Sequence, residues 1–343
     1  MAVVLELLEK GLPKNTRIYL LDRLPYQGLK TEYYALAAGT VTDRDIRIAY
    51  PAHPAVTIIY GEISGIDLAG RTVAVAGQEP REPIPFDSLV IALGCTDNYH
   101  GIEGAADHAC SIQSLHATRS TYRKLNDTRP NGQITVVGGG LSGVEIAAEL
   151  RESRPDLNIR ILDRGDSILN GFPGRLRSYV SEWFQEHDVE LRSHISVTSL
   201  EQGVVYNGTE EIHSDVVVWT AGIRPVDLVR ELELPKDRQG RLIVNEWHEL
   251  PDVPRVYVVG DCASSRFSPS AQLAEAMGKQ VAEVIASRWH GKETHLDKIK
   301  LRGVLGSLGK KAGFGIMGST PIIGRVPRML KSGVLWMSKR HFG

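Results

Sequence analysis

The stretch that most constrains the fold runs from Ile134 to Ala148 and reads ITVVGGGLSGVEIAA. A short apolar strand, Ile134 to Val137, enters a glycine turn, and a helical run from Val144 to Leu150 leaves it. Gly138, Gly140 and Gly143 fill the three positions of G-x-G-x-x-G. In that pattern the first glycine permits the tight turn, the second lets a pyrophosphate approach the backbone, and the third lets helix and strand pack closely. The helix start then offers unpaired N–H groups and partial positive charge to phosphates. A second strand, Asn158 to Asp163, ends in a carboxylate 25 residues after Gly138. That is near the spacing of about 20 at which an acid meets the ribose hydroxyls. Asp163 favours NADH over NADPH, because a 2′-phosphate would meet a like charge; Arg164 beside it works the other way.

The same layout recurs. Ala2 to Lys10 reads as a helix stopped by Gly11 and Pro13, and Arg17 to Asp22 as a strand ending in an acid. Phe86 to Gly94 (FDSLVIALG) and Asp215 to Gly222 (DVVVWTAG) both read as buried strands closed by a small-residue glycine turn. Two such units suggest an internal duplication, and 343 residues suit two or three domains. Further strands are expected at Ile46 to Ala49, Val56 to Tyr60, Thr72 to Val75, Val189 to Arg192, Ile195 to Tyr206, Arg241 to Val244 and Arg255 to Val259. Helices are expected at Arg175 to His187 and Ser270 to Trp289, with Asn98 to Thr118 as connection.

The three cysteines, Cys95, Cys110 and Cys262, form no C-x-x-C pair, so neither a dithiol relay nor a zinc spacing is present, and no metal is expected. Residues 292–343 hold eleven Lys and Arg against two acids, although the whole chain has a net charge of −1. Arg325 to Gly343 reads as an amphipathic helix entered through Pro327. Leu330, Gly333, Val334 and Met337 share one face, Arg328, Lys331 and Lys339 lie opposite, and Trp336 and Arg340 sit on the flank. Such a helix fits an anionic membrane surface, or docking on its own domain or a second subunit. No apolar run reaches a membrane span of about 20 residues, and MAVVLELLEK lacks the basic start of a signal peptide. A cytoplasmic chain is expected, resting on the inner face of the cell membrane if the tail docks there.

With these residues in place the chain resembles the two-dinucleotide-binding-domain flavoproteins. TAGIRP (Thr220 to Pro225), YVVGDCA (Tyr257 to Ala263) and SAQLAEA (Ser270 to Ala276) are similar to the type II NADH dehydrogenases (NADH:quinone oxidoreductases). LKTEYYALAAGT (Leu29 to Thr40) and LRGVLGSLGKKAGFG (Leu301 to Gly315) are similar to the Bacillus-type NADH dehydrogenase-like branch. The resemblance implies FAD as prosthetic group. It implies Asp22 at the adenosine ribose, Ile63 at the adenine, Gly94 along the pyrophosphate, Asp261 on the ribityl chain, and Ala271 with Gln272 near the isoalloxazine. It places Glu145 at the nicotinamide–flavin contact and Gly222 under the NADH. By residue type alone, Asp261 reads equally as a helix N-cap and Glu145 as a first-turn acid facing the helix dipole.

Two departures stand out. The flavin glycine loop that the family places before this point is missing, so Met1 is expected to be an internal methionine of a longer chain, and the sequence as written to bind FAD poorly. Two glutamines of the quinone-side helix are replaced by Ala276 and Met277.

The expected architecture is α/β, two Rossmann-like dinucleotide-binding domains with a basic tail. The boundaries are 1–115 and 241–295 for the FAD-binding domain, 116–240 for the inserted NADH-binding domain, and 296–343 for the tail. The expected activity is hydride transfer from NADH to flavin, then electron transfer to a diffusible acceptor such as a membrane quinone. The alternatives are a soluble NADH reductase with another acceptor, or a non-catalytic NADH-binding sensor. Expected partners are NADH, a quinone or other small acceptor, an anionic membrane surface and a second copy of the chain, with no nucleic acid.

Overall fold

The computed structural model describes residues 1–77 and 82–342; the side chains of residues 338 and 340–342 lie outside the described part, and with them the flank position expected of Arg340. Five parallel strands form the larger sheet, in the order Ala109–Cys110, Val216–Trp219, Gln133–Val137, Asn158–Leu162, Val189–Arg192. The central strands Val216–Trp219 and Gln133–Val137 are nearly all buried, as their unbroken apolar runs require when both faces are covered. Helices Leu141–Ser153 and Gly174–Glu186 supply much of that cover, through Val144, Ile146, Leu150, Leu176, Val180 and Phe184.

A second region holds two parallel pairs: Ile18–Asp22 with Val56–Tyr60, and Leu89–Ile91 with Val256–Val258. Among the described residues no strand joins Ile18–Asp22 to Leu89–Ile91. The strand expected over Phe86 to Gly94 is accordingly only three residues long, and of these only Ile91 is buried. Its counterpart Val216–Trp219 has partners on both edges and is buried throughout. The helix Ala2–Lys10 lies against Ala271–Trp289, closely enough that a Cβ at Gly278 would come 3.0 Å from the Cβ of Ala2. Between the regions, Cys95–Asp97 pairs antiparallel with Ile223–Pro225.

Four stretches depart from expectation. Ile195 to Tyr206 is not one strand: a turn at Gln202 and Gly203 splits it into the antiparallel pair Ser199–Glu201 and Val204–Asn207. The stretch read as connection holds the short helix Ala105–His108 and the edge strand Ala109–Cys110, and runs into a helix, Leu115–Asp127, capped by Ser114. Two of its four inward positions are Thr118 and Thr121, so its apolar periodicity is weak in the sequence. Arg241 to Val244 is not a strand: Leu242 makes only isolated bridges, to Lys236 and Ala263. The glycine-rich tail holds a three-stranded antiparallel sheet, Gly303–Leu308, Ala312–Met317 and Thr320–Gly324. Its glycines permit close approach, since a Cβ at Gly313 would lie 2.9 Å from the backbone nitrogen of Arg328.

The tail helix forms as expected, over Arg325–Phe342. Its orientation is the reverse of a helix that hides its apolar face. Val326, Met329, Leu330, Val334 and Met337 are exposed, Met329 by 72%. Lys331, expected on the solvated polar side, is 9% exposed and turned into the protein, because a buried carboxylate waits there for it. Among the described residues no helix is long and apolar enough to cross a membrane.

Candidate active site

The glycine turn and the TAG turn are locked together. Thr220 Oγ1 donates to the carbonyl oxygens of Val137 and Gly138, each at 2.9 Å. Gly138 has a φ of 105°, and a Cβ there would lie 2.8 Å from Ala221. At Gly143 a Cβ would come 1.9 Å from the carbonyl oxygen of Gly138, so only glycine lets helix and strand close. Gly140 is different: nothing lies within 4 Å of its added Cβ, leaving open space over the turn. Asp163 steadies the loop by accepting Gly139 N–H at 2.6 Å and Gly165 N–H at 2.7 Å. Gly222, with a φ of 150°, lies under His100, whose Nε2 would stand 2.8 Å from a Cβ there. His100 contacts the carbonyl oxygen of Ala221 through the same nitrogen, at 3.0 Å. No sequence signal marked His100.

The second unit repeats a detail of the first. Asp22 Oδ1 accepts Leu24 N–H at 2.9 Å, two residues on, as Asp163 Oδ1 does from Gly165. Ile63 is half-buried beside a bulge in the strand Glu62–Asp67. Gly94 has a φ of 69° and open space at its Cβ, again a backbone cradle. Asp261 does not cap a helix: the long helix is capped by Ser270, and Asp261 Oδ2 accepts the Cys95 thiol at 3.1 Å. Lys30 Nζ in turn reaches Cys95 Sγ at 3.1 Å. Burial pushes the Cys95 thiol up to about 12, so it stays a neutral donor. Ala271 is exposed at the start of the helix, and Gln272 Oε1 accepts Arg302 N–H at 2.9 Å. Ala276 is half-buried, whereas Met277 is 1% exposed within the core cluster, so its side chain lines no open site. The Asp22 and Asp261 carboxylates and the open turn at Gly94 suit the hydroxyl and phosphate portions of FAD.

Glu145 lies beyond the first turn of its helix, which holds no acid, so it is not a dipole partner there. It is 5% exposed. Its Oε1 accepts Ser307 N–H at 2.9 Å and Ser307 Oγ–H at 3.2 Å, and pairs with Lys331. Lys331 also donates to Tyr34 OH at 2.7 Å. Burying two charges is costly, and here the mutual pairing and hydrogen bonds offset that cost. Glu149, one turn further, is buried as well, and burial raises its carboxyl above the ordinary range. Lys331, Tyr34 and Ser307 come from three separate parts of the chain. Their only sequence sign lay inside the stretches Leu29 to Thr40 and Leu301 to Gly315 and the basic tail.

A family model described as pyridine nucleotide-disulphide oxidoreductase matches residues 4–280. An NADH dehydrogenase-like protein of Bacillus subtilis, YutJ, is 51% identical over all of this chain and 96% of its own length. A type II NADH:quinone oxidoreductase of Staphylococcus aureus is 26% identical over 93% of this chain and 87% of its own. Among solved structures, NDH2 of Plasmodium falciparum in complex with NADH superposes with a TM-score of 0.84 at 14% identity, covering 98% of this chain and 94% of that one. The fold is therefore shared well beyond recognisable sequence. The chain belongs to the pyridine nucleotide-disulphide oxidoreductase family, among its NADH dehydrogenase-like oxidoreductases.

Proposed function

We propose that the protein is an FAD-dependent NADH dehydrogenase that passes electrons to a quinone at a membrane surface. The observation that carries this reading is the tail helix: its exposed face is apolar, and its opposite face delivers Lys331 to the buried Glu145 beside the nucleotide turn. An exposed apolar face of this size on a basic helix suits insertion into the headgroup region of anionic lipid. A quinone dissolved in that lipid would then meet the protein close to Glu145.

In this reading Gly138, Gly140 and Gly143 cradle the NADH phosphates and Asp163 holds the adenosine ribose. Gly222 would lie under the NADH once the His100 side chain, 2.8 Å from its added Cβ, turns aside. Asp22, Ile63 and Gly94 hold the adenosine and pyrophosphate of FAD, Asp261 its ribityl chain, and Ala271 with Gln272 its ring. FAD supplies the two-electron acceptor chemistry when bound. The protein aligns nicotinamide with flavin, excludes water, and holds Glu145 in place through Lys331 and Ser307. The proposed division is 1–115 with 241–295 for FAD, 116–240 for NADH, and 296–343 for the membrane or subunit contact.

The test is the visible spectrum of the purified protein, followed by turnover. With FAD supplied in excess, a flavin spectrum bleached by NADH, and faster steady-state turnover with a menaquinone analogue in anionic vesicles than with soluble dyes, is the expected result. A flavin bleached by NADH that reduces dyes but no quinone would replace the acceptor. A protein that binds NADH tightly and holds no flavin would remove the dehydrogenase reading.

A further inference from the structure

Lys30 opens the single turn Lys30–Glu32 that leads into the helix Tyr33–Ala38. The far end of that turn is pinned: Glu32 is buried and accepts Tyr34 O–H at 3.4 Å. Lys30 itself stays exposed. Its ammonium nevertheless reaches Cys95, donating to Sγ at 3.1 Å and to the carbonyl oxygen at 3.3 Å. Cys95 is 7% exposed and directly follows Gly94, the open turn set against the FAD pyrophosphate in the reading above. On its other side the thiol donates to Asp261 Oδ2 at 3.1 Å. The order in space is cation, thiol, carboxylate.

The sulfur keeps two opposite charges apart. In direct contact an ammonium and a carboxylate pair, and each masks the other. Here no carboxylate forms an ion pair with Lys30 among the described residues. Burial pushes the Cys95 thiol up to about 12, so the spacer carries no charge of its own. Asp97 lies two residues on, on the same face of the strand Cys95–Asp97. It is 3% exposed, and its Oδ1 meets no hydrogen-bond donor among the described residues. Burial raises its carboxyl above the ordinary range, while the Lys30 charge pulls it down. The Lys30 charge is thus felt by Cys95 and Asp97 and paired with neither. A lysine beside an open backbone turn, with its charge unmatched, suits phosphate, which an ammonium holds as a point charge.

We propose that Lys30 is a FAD-binding residue, the cation for the cofactor's diphosphate, and that Cys95 is the neutral spacer that keeps it from collapsing onto Asp261; this rests on the FAD reading above. One sulfur separates two tasks. Lys30 turns its ammonium from the thiol to a phosphate oxygen, exchanging a weak sulfur contact for a charge-assisted bond. Asp261 keeps its charge and its free lone pairs for the ribityl hydroxyls. The Cys95 S–H steadies that carboxylate without competing for the cation. No covalent bond forms and no proton changes hands. Lys30 touches the cofactor, whereas Cys95 acts through Lys30 and Asp261, as a positioning residue.

The rival reading is a packing contact that seats the turn on the strand. It predicts changes in stability and none in FAD affinity. The experiment titrates FAD into the full chain stripped of flavin, reading flavin fluorescence at low and high salt, beside NADH binding and urea unfolding. Lys30→Met should weaken FAD binding about tenfold or more, the scale of one lost charge-assisted contact. It should also flatten the salt dependence of that binding, and leave NADH affinity and the unfolding midpoint in place. Lys30→Arg keeps the charge and should recover most of the affinity. Cys95→Ala lets the ammonium and Asp261 meet, so FAD binding should weaken there too, while Cys95→Ser, with its neutral hydroxyl, should stay near wild type. In the Cys95→Ala background Lys30→Met should cost less than it does alone, because the cation is already engaged. FAD binding by Lys30→Met equal to that of the wild type at both salt concentrations would overturn the proposal. Strictly additive losses would overturn the spacer role of Cys95. A wild-type chain that takes up no FAD would instead overturn the underlying reading. Should Cys95→Ala not fold, Cys95→Val removes both sulfur contacts without leaving a cavity, and the same outcomes apply.

Discussion

Lys331 and Glu145 are the pair on which the site's electrostatics turn. Replacing Lys331 with Met leaves the Glu145 carboxylate buried with only Ser307 to hold it. The expected cost is about 3–5 kcal/mol, measured by urea unfolding at fixed pH. Adding Glu145→Gln in that background should recover much of it, because the stranded charge goes. Glu32 contributes in the opposite sense. Its folded carboxyl is raised to about 7 from 4.5, so the native state binds the proton more tightly than the unfolded chain. The stabilisation is full below about 4.5 and fades as pH climbs to 7. The fall across that window is about 3 kcal/mol at most. Glu32→Gln should flatten the slope and leave the protein more stable than wild type at pH 8. Of these residues the sequence pointed only to Glu145, through its place after the glycine turn. Glu32, Tyr34 and Ser307 are ordinary polar residues whose meaning comes from meeting across the chain, which no local pattern records. Lys331 sat in a run of basic residues and read as one more solvated cation.

At the scale of elements, the nucleotide turn was the most legible part, because each of its glycines answers a backbone demand. The demands differ, and the variants should separate them. Gly143→Ala drives a methyl into the Gly138 carbonyl oxygen and should cost roughly 1–3 kcal/mol of stability. Gly140→Ala meets open space, so the melting temperature should stay put while NADH affinity drops about tenfold or more, the scale of one lost close phosphate contact. Equal losses of stability in both would mean that Gly140 is merely a packing glycine. Strands such as Val56–Tyr60 and Val189–Arg192 were legible, the first from its β-branched residues and the second from its apolar–charged alternation. The helix Leu115–Asp127 was not, because buried threonines carry part of its inward face. The sheet spanning Gly303–Gly324 was hidden by its glycines, which weaken strand patterning while allowing the tail helix to approach.

Across the whole molecule, the two nucleotide-binding regions and the tail meet around Glu145. The exposed face of the tail helix belongs to this scale, since the proposed reading sets it against a membrane. Met329→Glu with Val334→Glu should weaken binding to anionic vesicles about tenfold or more, read by co-sedimentation, with unfolding unchanged. Raised salt should loosen the remaining contact through the basic residues. Vesicle binding indifferent to both substitutions would assign the face to a second subunit instead.

The inward turn of Lys331 also bears on descent. A terminal helix that only anchored a protein could be traded between relatives like a detachable handle. This one carries half of a buried charge pair, and Gly313 beneath it is cut to its backbone. A chimera that takes its tail from a distant relative inherits an anchor and forfeits the counter-ion of Glu145, unless the lysine and its glycine bed travel together. The tail and the helix that carries Glu145 are bound to change in step.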